Sequence, residues 1–182
     1  SRFRYFRRAV KPTQNAAKKL INKMARFNEI IIQRINEKYK NIDWGILSEE
    51  NVKNGYGNSD LNNDWLWVLD PLDGTKDFIQ GTGNYAMHLA LNYKNKCYIG
   101  VVLIPEKNEL WITNSKETWC ETRDGSKTKG CIISGSANTN IKEMTLVTSK
   151  NHRNETLKKL IQKLDFKKVN VMGSVGCKVA SI

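Results

Sequence analysis

Apolar and polar positions follow two different periods along this chain, and the changes of period mark its elements. From Thr13 to about Lys40, Ala17, Leu20, Ile21, Met24, Phe27, Ile31 and Ile35 recur at steps of three and four. That spacing draws one apolar face of a long helix, with Thr13 placed as its N-cap. Asn41 to Leu47 reads as a turn and a short strand carrying Trp44 and Ile46. Trp65 to Leu69 is bulky and uncharged, as a strand buried on both faces would be, and it ends at Asp70. Phe78 to Gly83 reads as a short turn segment. Tyr85–Tyr93 and Cys97–Ile104 then read as an antiparallel pair turning at Asn95-Lys96. Shorter strands follow over Leu110–Thr113 and Thr118–Thr122, with Asp124-Gly125 as a hairpin signal. Lys127 to Lys142 is polar and without period, a loop. Met144–Thr148 is a strand, Asn154–Leu164 a helix and Lys167–Met172 a strand, and a further helix opens in Gly173–Lys178.

Composition narrows this picture. The 182 residues are 40% hydrophobic and 26% charged, enough for a globular core, and no apolar run reaches membrane-spanning length. Cys97, Cys120, Cys131 and Cys177 show neither metal-site spacing nor a disulfide framework, so a reduced, cytoplasmic setting is expected. The net charge of +12 is concentrated at one end. Residues 1–26 hold nine of the 30 bases and no acid, which leaves 21 bases against 18 acids elsewhere. Such an arm is open to three readings: a solvated tail, a targeting segment, or a surface for polyanions.

The chemistry gathers at one stretch. Asp70 stands at a strand end, Pro71 forbids further ladder pairing at its own nitrogen, and Asp73 returns to the same side after a tight turn. Gly74 permits an unusual backbone path, and Thr75 is placed to cap a following helix whose N–H groups face an anion. Two such carboxylates repel unless something positive lies between them, and oxygen ligands of this kind suit Mg²⁺. Taken alone, Asp-Pro-x-Asp-Gly fits a pair of surface turns equally well.

The whole string Trp67-Val68-Leu69-Asp70-Pro71-Leu72-Asp73-Gly74-Thr75-Lys76-Asp77-Phe78 resembles the metal-binding signature of the inositol monophosphatase superfamily of Mg²⁺-dependent, lithium-sensitive phosphatases. Lys76 and Asp77 resemble the 3′(2′),5′-bisphosphate nucleotidase branch, where inositol monophosphatases more often carry Thr-Asn. The resemblance runs from about Phe27 to the C-terminus, weakening between Thr122 and Glu143. It implies an α/β fold, a layered αβαβα sandwich of the sugar-phosphatase type. Residues 1–12 would be a basic arm, 13–142 a metal-binding domain, and 143–182 the start of a second α/β domain.

The resemblance also assigns roles. Glu49, the first acid after Ser48, Asp70, the Leu72 carbonyl and Asp73 would bind Mg²⁺. Gly74 and Thr75 would cradle the phosphate, and Thr75, Asp73 and Glu49 would act in catalysis. Lys150 and His152, together with Gly176 and Lys178 of the Gly-Ser-x-Gly-x-Lys turn, would line the substrate side. The substrate implied is a nucleoside bisphosphate, adenosine 3′,5′-bisphosphate losing its 3′-phosphate, with neither membrane nor nucleic acid as partner. Asn51–Asp64, rich in Asn, Gly, Ser and Asp, would be a loop beside the site. His88, among apolar neighbours, reads as a core histidine.

Two departures from the pattern stand out. The family's Thr-x-Ala-Asp aspartate, which helps hold a second metal, falls at Met24, whose thioether is no Mg²⁺ ligand. The family's later Trp-Asp motif is absent, so the chain is expected to be a fragment or truncated copy with weak or no turnover. Two other readings remain: an inositol or sugar phosphatase of the same superfamily, and a non-catalytic chain that binds polyanions through its basic arm.

Overall fold

A computed structural model describes residues 14–53, 62–122, 124–129, 139–149 and 154–181. The basic residues before Gln14, the centre of the Asn-rich loop, and Lys150 and His152 lie outside these, as does the side chain of Met24. The described chain is a mixed α/β structure. Helix α1 (Gln14–Lys38) leads to strand β1 (Gly45–Ser48), helix α2 (Glu49–Lys53) and strand β2 (Trp65–Asp73). Helix α3 (Thr75–Gln80) precedes a meander of β3 (Ala86–Tyr93), β4 (Lys96–Ile104), β5 (Glu109–Asn114), β6 (Thr118–Thr122) and β7 (Lys127–Lys129). Strand β8 (Thr145–Ser149), helix α4 (Glu155–Leu164), strand β9 (Lys168–Met172) and helix α5 (Val175–Val179) complete it.

Strands β1 to β7 form one sheet in chain order, with β1 parallel to β2 and the rest antiparallel. Strands β8 and β9 form a separate parallel pair, the arrangement that a helical crossover such as α4 permits. Helix α5 joins the two parts. Its Cys177 packs with Ala86 and Ile104 of the large sheet, flanked by Val102, Trp111 and Met172. Leu72, Phe78 and Tyr85 make a second cluster that anchors α3. Among the described residues no helix is long and apolar enough to cross a membrane.

Four sequence expectations change. Strand β2 does not stop at Asp70 but runs on to Asp73, its pairing with β3 slipping between Asp70 and Asp73. Pro71 sits inside that bulge, where its missing N–H leaves no gap in the ladder. The segment from Phe78 belongs to helix α3 as far as Gln80, closed by Gly81 at φ 65°. A helix this short is held by the burial of Phe78 rather than by propensity. The β3–β4 turn lies at Lys94-Asn95, both with positive φ, one residue earlier than expected. Lys127 to Lys129 is an edge strand, not loop. Its lysines are the polar dressing that exposed edges carry.

Candidate active site

Strands β1 and β2 run parallel with Ser48 paired to Leu69, so the next residues, Glu49 at the start of α2 and Asp70 within β2, stand side by side. Asp70 titrates higher than an ordinary carboxyl. Burial is the main cause; the Leu72 N–H, donated to Asp70 Oδ1 at 3.0 Å, opposes it, and the neighbouring Glu49 carboxyl adds to the rise. The Glu49 and Asp70 carboxyls thus crowd each other, with the His88 imidazole in partial opposition.

Asp73 meets a different environment. Ser174 Oγ donates to its Oδ2 at 2.5 Å, and the Gly176 N–H to the same oxygen at 3.1 Å. His88 Nε2 approaches that oxygen to 3.1 Å, at ion-pair distance but off the line of a hydrogen bond. Burial pushes the Asp73 carboxyl up, but His88, Ser174 and Gly176 together hold it down at about 2.

Gly74 follows with φ 87°, a conformation that disfavours a side chain, and a Cβ there would lie 2.7 Å from the Asn84 carbonyl. Gly74, not Thr75, is the N-cap of α3, and no side chain caps the helix. Its first-turn N–H groups are therefore left for a partner other than a capping side chain. Thr75 is the first helical residue, and its hydroxyl donates to the Leu72 carbonyl at 3.2 Å.

The turn opening α5 closes the other side. Ser174 is fully buried and caps α5 by accepting the Cys177 N–H at 3.1 Å. Gly176 has no room for a side chain, since a Cβ would stand 2.6 Å from His88 Nε2 and 2.9 Å from Val102. Lys178 Nζ donates to Ser149 Oγ at 2.8 Å, which ties α5 to the C-terminal end of β8.

The structure therefore places Glu49 against Asp70, and Asp73, Gly176 and the glycine–threonine turn against one another. Leu72 links the two groups through its N–H and its carbonyl. Among the described residues no three of His, Cys, Asp and Glu are gathered as a ready-made metal cage. The donor set nonetheless fits a hard cation at Glu49 and Asp70, two crowded carboxylates with a backbone carbonyl nearby. Asp73 fits less directly, because Oδ2 already has its donors and only Oδ1 is left.

His88 is a correction. It is not a core histidine: it pairs with Asp70 across β2–β3, touches Asp73 and keeps 30% side-chain exposure. Its apolar sequence neighbours, Met87 and Leu89, hid this. Ser174 was also missed as a site residue, although it lies within the glycine turn singled out in the sequence.

A layered α/β chain with paired acids at a strand end, an uncapped helix start and a glycine turn closing over them defines a class of small-molecule site. A family description for the inositol monophosphatase family matches residues 6–182, and the chain belongs to that family. The match also takes in most of the basic arm, further toward the N-terminus than the resemblance was read. The chain is 32% identical over 131 residues to the 3′(2′),5′-bisphosphate nucleotidase CysQ of Buchnera aphidicola subsp. Acyrthosiphon pisum, covering 71% of this chain and 46% of the relative. It is 32% identical over 106 residues to the Nus factor SuhB of Haemophilus influenzae, covering 58% of this chain and 38% of the relative. The chain thus spans less than half the length of these two relatives. A crystal structure of SaIMPase-II bound to 2′AMP superposes with a TM-score of 0.67 at 20% identity, over 93% of this chain and 62% of that one, which shows a shared fold.

Proposed function

We propose that this chain carries the metal-holding and phosphate-cradling part of a Mg²⁺-dependent phosphate monoester hydrolase, acting on a 3′-phosphorylated nucleoside 5′-phosphate. Residues 13–142 would form the metal-binding domain and 143–182 the beginning of a substrate-side domain, in a cytoplasmic protein. The observation that carries this reading is the pairing of Glu49 with Asp70 immediately before the Gly74–Thr75 helix start. The CysQ relative is what favours a nucleotide, while solved neighbours of the same fold hold 2′AMP in one case and inositol monophosphate in another.

Glu49, Asp70 and the Leu72 carbonyl would hold Mg²⁺, with Asp73 contributing its remaining oxygen. Bound there, the ion would supply positive charge to phosphoryl oxygens and make a water more acidic. Gly74 and Thr75 would bind the phosphate through backbone N–H groups at the start of α3. Thr75 spends its proton on the Leu72 carbonyl, so its oxygen is free to accept a hydrogen bond from a water and orient it. Ser174, Gly176 and His88 keep Asp73 ionised and fixed. Lys178, steadied by Ser149, would place a cation on the substrate side, with Lys150 and His152 nearby in sequence.

The test is phosphate release from adenosine 3′,5′-bisphosphate during a Mg²⁺ titration, with Asp70→Asn as control. Release that rises with Mg²⁺ and is lost in Asp70→Asn is expected. Release that persists in Asp70→Asn, or Mg²⁺ binding that this substitution leaves unchanged, would overturn the assignment.

A further inference from the structure

Asp77 is a carboxylate with 1% exposure, four residues beyond Asp73, and the site described above makes no use of it. It is out of reach of any substrate. Thr82 Oγ1 donates to its Oδ1 at 2.6 Å. Its Oδ2 presses on the backbone of Gly173, where an added Cβ would fall 1.7 Å away. A buried carboxylate held this tightly against a peptide is expensive to keep unless its position matters to the fold or the site.

The segment it presses on is the one that closes the site. Within Gly173–Lys178, Ser174 and Gly176 donate to Asp73, Cys177 packs under the large sheet, and Lys178 reaches Ser149. Gly74 packs against the same turn, because a Cβ there would stand 3.2 Å from the Ser174 Cβ. Asp73 and Asp77 thus meet one turn from the same side, the first through hydrogen bonds and the second through close contact. Phe78, 4% exposed beside Asp77, fixes α3 so that Asp77 cannot retreat.

We propose that Asp77 is a positioning residue: it sets where the Gly173–Gly176 turn sits over the Gly74–Thr75 phosphate cradle, and through Lys178 it sets which phosphorylated small molecule the site accepts. The proposal rests on the phosphatase reading for its substrate consequence, but not for the placement of the turn. Asp77→Asn keeps the shape and replaces an acceptor by a donor at the oxygen facing Gly173. The turn must then shift or repack, without any change to Glu49 or Asp70.

The experiment is residue-resolved amide exchange on the wild-type chain, Asp77→Asn and Thr82→Val. It is run beside calorimetric binding of Mg²⁺, adenosine 3′,5′-bisphosphate and inositol 1-phosphate. In Asp77→Asn the Gly176 and Cys177 amides, bonded to the Asp73 carboxylate and the Ser174 hydroxyl, are expected to exchange on the order of tenfold faster as those bonds loosen. Amides of β3 and β4 should not change. Mg²⁺ affinity should hold within about twofold, while the preference between the two phosphate esters shifts by roughly tenfold. Thr82→Val should move the same two amides in the same direction by less. Unchanged exchange at Gly176 and Cys177 in both variants would overturn the proposal, as would faster exchange with an unaltered ester preference. If the wild-type chain binds neither ester, the phosphatase reading fails, and exchange at the two amides alone decides whether Asp77 positions the turn.

Discussion

Asp70 and Asp73 stand three residues apart on one strand, yet the protein treats them in opposite ways. Asp70 is pushed up by burial and by Glu49, against the Leu72 N–H and a weaker pull from His88. Asp73 receives Ser174, Gly176 and His88 and is held down at about 2. The bulge at Pro71 makes this possible, since it turns the second carboxylate toward α5 while the first stays beside β1. The lesson is that hydrogen bonds and His88 hold Asp73 ionised, whereas burial and the Glu49 carboxyl outweigh what favours charge at Asp70.

The comparison breaks most visibly at Asp73. Asp73→Ala leaves the Ser174 hydroxyl and the Gly176 N–H without their acceptor, and should cost about 3 kcal/mol in urea denaturation. Gly176→Ala attacks the same clamp from the other side by forcing a methyl group against His88 and Val102. About 2 kcal/mol of lost stability is expected from the same measurement. Asp70→Asn should do the reverse in metal-free buffer. It relieves the crowding with Glu49 and should raise stability by up to about 1 kcal/mol.

The smallest effect lies outside the pair. Tyr85 donates to Glu106 Oε1 at 2.9 Å, and burial, with that bond, raises its phenol above the ordinary value of 10. Its contribution is complete below pH 10, where the unfolded phenol titrates, and fades as pH rises toward the raised folded value. Tyr85→Phe should therefore cost up to about 1 kcal/mol at neutral pH and progressively less above pH 10, measured as the difference between the two denaturation curves.

How much of this was legible in the sequence follows from range. Strand β6 falls on Thr118–Thr122 as read, and β8 and β9 within a residue of the reading, because alternation and turn residues are local signals. Helix α1 was visible for the same reason. The hairpin turn was misplaced by one because Asn95 announces positive φ and Lys94 does not. A helix opening at Thr75 was read, but its run through Phe78–Gln80 was not, because the packing of Phe78, not its six residues, makes it helical. Glu49 and Asp70 were brought together in the reading by resemblance alone; the parallel register of β1 and β2 supplies the physical cause. His88 escaped because the long connection between β2 and β3 leaves their register open to the sequence, and only that register sets it opposite Asp70. The double use of Asp73 escaped because Ser174 and Gly176 lie a hundred residues away.

The most direct measurement is calorimetric titration of Mg²⁺ into the wild-type chain and into Asp70→Asn and Glu49→Gln. Binding in the wild type, abolished by either substitution, is the result expected if this pair is where the cation sits. Binding of equal strength in all three would place the ion elsewhere and contradict the contrast between the two aspartates.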